Sequence, residues 1–239
     1  IRGAVSRSTV SRDLEGVMSR AASFEGRYRE LRAQGARGWG GDGFAEREQL
    51  WKDALHRLGS AGHLPPAGTR ALELGSGSGM VSEMLVALGY EVEGIDLSET
   101  AVAWAREGVP TGRFVVGDVT DLRGWADSSR DLVVDGNCLH CLLGDERTQC
   151  LAEVRRVLVD GGGLLVSSMI EPTRDLPAGL ELVEGQLVRD GLPVRTLLPR
   201  DDLIEELRLA GFAVQGTHRT ERERWDHLTL VMRSERAVG

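Results

Sequence analysis

From Arg70 to Ile170 the chain alternates short apolar runs with segments of helical spacing, and this alternation leaves few folds open. The strand candidates are ALEL (71–74), YEVEGID (90–96), RFVVGD (113–118), DLVVDG (131–136) and GGLLVSSMI (162–170). Residues 79–88, 98–107 and 145–158 carry helical spacing between them, with Ser98 placed to cap the second. Strands separated by helix-length connections pair in parallel, because a parallel neighbour needs a crossover. The expected class is therefore α/β. After residue 170 the pattern changes: residues 186–198 read as a hairpin around Asp190-Gly191, 201–209 as a helix, and FAVQGTH and DHLTLVM as two last strands.

The first strand runs into Gly75-Ser76-Gly77-Ser78-Gly79. Glycines there let the backbone turn sharply and let a ligand approach without a Cβ between. The helix that follows offers free N–H groups at the carboxyl edge of the sheet, where such sheets bind ligands. Met80 stands where a dinucleotide fingerprint wants its third glycine, which argues against a nicotinamide dehydrogenase. Three carboxylates accompany the loop. Glu73 precedes it by two residues, and Asp96 and Asp118 close the next two strands. Any one of them alone would read as a solvated strand end; together they converge on one cleft.

Residues 70–169 resemble the class I S-adenosylmethionine-dependent methyltransferases, through ELGSGSG, GIDLS, GDVTDL, and DLVVDGNCLHCL followed by VRRVLVDGGGLLVSS. The resemblance implies a Rossmann-like, seven-stranded, mostly parallel sheet whose final strand is antiparallel, with S-adenosylmethionine as cofactor. It puts Glu73 and the backbone of Gly75, Ser76 and Gly77 on the methionine part. Asp96 falls on the ribose hydroxyls, and Gly117 and Asp118 near the adenine amine, with Leu97 and Val119 packing the ring. The segment after the fourth strand lies beside the sulfonium in that family, so Asn137 and His140 are the candidates to touch substrate. His140 reads equally as a general base or as a brace for its loop. Cys138 and Cys141 form a C-x-x-C without a second pair or histidines at ligand spacing, so they read as small side chains flanking the site, and no metal is expected.

Before Arg70, residues 9–34 read as a helix with Leu14, Val17, Met18, Ala21 and Phe24 at helical spacing. Gly35 to Gly43 break it, a second helix runs from Phe44 to Leu58, and a Gly/Pro-rich linker closes the appendage. We expect residues 1–68 to form a helical lid, residues 69–239 the cofactor-binding domain, and 171–200 a substrate-side insertion. In such a lid Tyr28, Arg32 and Trp39 lie in or beside the glycine-broken segment. Tyr28 is a candidate catalytic base, and Trp39 is a candidate to cover the cofactor. The hairpin and Arg224-Trp225-Asp226-His227 are candidate walls, while Arg189, Arg195 and His227 as single side chains read as solvated.

The formal net charge of -8 offers no general attraction for nucleic acid. No apolar run approaches the roughly 20 residues of a membrane span, and no charged n-region followed by an apolar h-region opens the chain. Three cysteines are no disulfide framework, which suggests a cytoplasmic protein. The leading expectation is a methyltransferase acting on a small molecule in specialised metabolism. A second is an enzyme of the same fold that cyclises the aminocarboxypropyl arm of S-adenosylmethionine to azetidine-2-carboxylate or 1-aminocyclopropane-1-carboxylate, releasing methylthioadenosine. A third is a non-enzymatic sensor of the cofactor. Oligomeric state is left open.

Overall fold

The computed structural model describes residues 7–235 except 173 and 222–224, with side chains described from Arg20 onward. Leu14, Val17 and Met18 lie on described backbone, but their side chains, and Arg224 as a whole, lie outside the described residues. Helix α1 (Arg7–Ala33) and helix α2 (Phe44–Ser60) precede the sheet, joined through the glycine-rich turn. Then come β1 (Arg70–Leu74), α3 (Met80–Ala87), β2 (Glu91–Asp96), α4 (Glu99–Gly108) and β3 (Arg113–Val116). The second half holds β4 (Arg130–Gly136), α5 (Asp145–Val157), β5 (Leu158–Met169), a small sheet of β6 (Leu180–Val183), β7 (Gln186–Arg189) and β8 (Leu192–Thr196), then α6 (Arg200–Leu209), β9 (Phe212–Thr220) and β10 (His227–Ser234).

Seven strands form one sheet in the order β3-β2-β1-β4-β5-β10-β9. The pairs from β3 through β5 are parallel, and only β10 runs against its two neighbours. This is the Rossmann-like architecture expected. Strand order reverses between β1 and β4, so the loops after those two strands diverge and leave a crevice at the carboxyl edge. β1 explains the depth of that crevice: Ala71, Leu72, Glu73 and Leu74 are all buried, as in a strand covered on both faces. One core layer packs α5 and α6 on the sheet through Leu151, Val154, Leu203 and Leu207, and another packs α2 and α3 through Trp51, Leu55, Val81 and Leu85.

The strand boundaries depart from expectation in three places. β3 stops at Val116, so Asp118 lies two residues beyond its strand; Thr120 N and Oγ1 both donate to Asp118 Oδ1 and turn the chain there. β5 begins at Leu158 rather than 162, because a register shift in its pairing with β4 absorbs the Gly161–Gly163 run. β6 was not expected at all. It pairs with β7 through a two-residue turn, Glu184-Gly185, whose φ values of 49° and 76° match the Asp190-Gly191 turn of the expected hairpin at 51° and 75°.

Candidate cofactor and acceptor site

The glycine loop is shaped by contacts on both sides. Gly75 has φ +59°, and a Cβ there would lie 2.8 Å from Cys138 Cβ, so the loops after β1 and β4 touch only because position 75 has no side chain. From above, Gly38 presses on Ser78 at a distance no side chain would allow, which brings the glycine-broken segment down onto the loop. Gly77 N donates to Asp96 Oδ2 at 2.9 Å and Ser98 N to Asp96 Oδ1 at 2.9 Å, fixing the carboxylate at the mouth of β2.

A cavity of about 450 Å³ opens at this crevice, within the range of small-molecule sites. Of the residues expected to hold cofactor, Trp39, Glu73, Gly75, Ser76, Gly77, Asp96, Leu97, Asp118, Val119 and Asn137 all line it, and so do Tyr28 and His140. Gly117 does not line it; its N–H donates to Asp96 O and its Cα faces Ile95. Arg32 is also outside: it is exposed, pairs with Glu107 and lies over the Trp104 ring.

Burial sets the electrostatics. Glu73 is 2% exposed, and burial pushes its carboxyl up to about 8 although Ser82 donates to it. Asp96 is also raised by burial, against the pull of its two backbone donors. Asp135 rises to about 6, again through burial, while its Oδ1 accepts from Cys138 N and Leu139 N and orders the loop after β4. That loop carries Asn137 at φ +84°, an uncommon conformation for a residue other than glycine, with its Oδ1 buried and unpartnered among the described residues.

Burial keeps the Tyr28 phenol protonated and the His140 imidazole neutral, and a neutral imidazole is the form a general base requires. Burial raises the Tyr28 phenol well above 10, so it keeps its proton and serves as a donor. Burial, then the nearby Arg195 charge, drives the His140 imidazole well below its ordinary value, so it is neutral at pH 7. Met169 N donates to His140 Nδ1 at 3.4 Å, which leaves the proton on Nε2.

The cavity also contains residues that were read as solvated or not considered. His227 is 7% exposed and its ring stands edge-on to His140 at 6.4 Å; Arg195 is half-buried; both line the cavity, while Arg189 is exposed as expected. The reason for His227 is topological. β10 runs antiparallel, and its first residue pairs with Met169, the last of β5, at the cleft edge. Arg20, Phe24, Phe44, Glu46, Arg47 and Trp225 are also among the residues that line the cavity. Phe24 and Tyr28 both pack on Trp39, at 5.6 and 5.2 Å between ring centroids, making an aromatic cover. Cys138 and Cys141 are half-buried free thiols flanking the site, with burial raising both. Among the described residues no cluster of His, Cys, Asp and Glu is arranged to hold a metal ion, and no helix is long and apolar enough to cross a membrane.

These residues fit S-adenosylmethionine. A glycine cradle that Cβ atoms would fill, the buried Asn137 and Ser76 oxygens left unpartnered, and the carboxylates of Glu73 and Asp96 supply backbone approach and acceptors for an amino acid joined to a nucleoside. The family described as a methyltransferase domain matches residues 72–166. A malonyl-[acyl-carrier protein] O-methyltransferase of Methylococcus capsulatus is 29% identical over 212 residues, covering 86% of this chain and 74% of that one. A probable S-adenosylmethionine-dependent methyltransferase of Mycolicibacterium smegmatis is 29% identical over 179 residues, and the match spans only 60% of its length. In fold, the chain is similar to Burkholderia thailandensis 1,6-didemethyltoxoflavin-N1-methyltransferase, solved with 1,6-didemethyltoxoflavin and S-adenosylhomocysteine bound. The TM-score is 0.70 at 18% identity, covering 99% of this chain and 94% of that one. The family match over the glycine loop and sheet, with the strand-end chemistry it contains, identifies residues 72–166 as a methyltransferase domain, in a fold that the chain shares with S-adenosylmethionine-dependent methyltransferases.

Proposed function

We propose that the chain methylates a small molecule at an oxygen, nitrogen or carbon nucleophile, in specialised metabolism. The observation that carries this reading is a single cavity in which the cofactor-side carboxylates meet a separate wall formed by the β4–α5 loop, β8 and β10. In this reading Glu73 and the 75–77 backbone hold the amino-acid arm, Asp96 the ribose, and Asp118 with Leu97 and Val119 the adenine. Residues 1–68 act as the lid, and 171–200 as the acceptor-side insertion of the domain formed by 69–239. Bound there, S-adenosylmethionine supplies a methyl group already activated by its sulfonium, so the protein's task is alignment and exclusion of water. Asn137 offers an acceptor oxygen to the incoming nucleophile, while Tyr28 and His140, as donors, position it. The Phe24–Tyr28–Trp39 cover closes the cavity over a cation that favours aromatic faces.

The closed cover is also what a single-substrate cyclase acting on the aminocarboxypropyl arm would need, and product analysis separates the two. The chain is incubated with S-adenosylmethionine alone, then with phenols, amines and aromatic acids. S-adenosylhomocysteine formed only when an acceptor is present supports methyl transfer. Methylthioadenosine formed without one overturns it in favour of the cyclase, and absence of either product in every mixture favours a sensor.

A further inference from the structure

Three arginines reach the cavity, and they differ in what answers their charge. Arg20 is matched by Asp118 and Glu146. Arg47 comes from α2, its stem lies beside Gly40 in the glycine-broken segment, and its charge acts on Tyr28 and Cys141. Arg195 approaches from the opposite wall. It comes from β8, in the insertion after β5, and its charge acts on His140 and Cys141, as that of Arg47 also does, with Arg195 the larger influence on His140.

The Arg195 guanidinium is held in place and incompletely used. Nη1 donates to Val194 O at 2.6 Å, and the group lies 6.0 Å from the Phe24 ring centroid. The next residue, Thr196, is buried and donates to Leu142 O at 2.8 Å, which pins β8 to the β4–α5 loop. A guanidinium has five N–H donors, and among the described residues no carboxylate pairs with this one. A half-buried cation facing a cavity is costly unless an anion meets it there. The same cavity is lined by the rings of Phe24, Trp39, Phe44 and Trp225, with Phe24 the one beside Arg195.

We propose that Arg195 binds an acidic group on the acceptor, and that the substrate is a small, flat, largely apolar carboxylic acid. The planar fork matches a carboxylate with two parallel N–H donors, whereas a phosphate dianion would leave a second charge unmatched. This rests on the proposed methyl-transfer reading for the acceptor side, but the interaction itself is measurable without turnover.

The test is calorimetry on the full chain saturated with S-adenosylhomocysteine, titrated with 4-hydroxybenzoate, 4-hydroxybenzamide and 4-hydroxyphenyl phosphate. The acid should bind at least about tenfold more tightly than the amide, the gain expected of a charge-assisted pair, and more tightly than the phosphate. Arg195→Gln should remove the acid–amide difference with S-adenosylhomocysteine affinity unchanged, and Arg195→Lys should retain part of it. Equal binding of acid and amide overturns the proposal. So does a difference that survives Arg195→Gln or vanishes instead in Arg47→Gln, a preference for the phosphate, or no binding of the acid at concentrations on the order of 10 mM. Failure of S-adenosylhomocysteine itself to bind would sink the cofactor reading separately, and the acid–amide comparison on the chain alone would still decide Arg195.

Discussion

Glu25 tests how α1 is held over the site. Its carboxylate accepts from Ser98 Oγ at 2.6 Å, Thr100 Oγ1 at 2.6 Å and Thr100 N at 3.1 Å, at the N-terminus of α4 where helix N–H groups lack partners. Ser98 is used twice, since its Oγ also accepts from Ala101 N as the α4 cap. Burial alone would raise the Glu25 carboxyl, yet these donors and Arg29 hold it at about 2 against an ordinary 4.5. A shift of that size corresponds to ~3 kcal/mol favouring the charged group in the docked state. The side chain is 19% exposed, and screening reduces this to ~2 kcal/mol. Because the folded value is the lower one, the contribution is complete above about pH 4.5 and is lost as pH falls toward 2. Glu25→Gln removes the charge at every pH, so the docked-to-undocked ratio of α1 should fall roughly thirtyfold. Hydrogen exchange at neutral pH should show faster exchange in α1 with α3 and α5 unchanged. Unchanged α1 exchange in Glu25→Gln would refute the clamp, and uniform loss of protection would show that Glu25 supports the whole fold instead.

Gly75→Ala should lower stability by ~2 kcal/mol, from the left-handed backbone and the 2.8 Å approach to Cys138 Cβ, and weaken S-adenosylhomocysteine binding more than tenfold. A Cys138→Gly background should recover the steric part in thermal melts, and strictly additive effects of the two substitutions would refute the contact as the cause. Glu73, held at about 8 by burial, is mostly protonated at pH 7, and an arriving ammonium should ionise it. Titrations in buffers of different ionisation enthalpy should then show release of close to one proton at pH 7 and little at pH 9, whereas no release at pH 7 would separate Glu73 from the ammonium. For the ligand-free protein the sign is opposite to that of Glu25: with a raised folded value, stability falls as pH rises from about 4.5 through 8.

The cofactor side was legible because its signals are local. Short apolar runs, a glycine loop and an acidic residue at or just beyond each of three strands survive without knowledge of any tertiary neighbour. The acceptor side was not, since Arg195 and His227 look like surface residues until β8 and β10 are placed. His227 could have been found: an antiparallel last strand must begin where the parallel ones end, which puts its first residue at the cleft. Glu25 leaves no local trace, because its partners lie 73 and 75 positions away. β6 was hidden by a turn that places Glu184 in a conformation usually given to asparagine or aspartate.

The three strands β6, β7 and β8 pair only with one another, and the seven-stranded ladder closes without them. They meet the rest of the chain at points such as Thr196 on Leu142 O and Arg195 over the Phe24 ring. Such an annex can be lengthened, shortened or replaced while every strand of the main sheet keeps its register. On the proposed reading, an exchange of residues 180–196 would reshape the β8 part of the acceptor wall while leaving the cofactor-side residues of the main sheet in place.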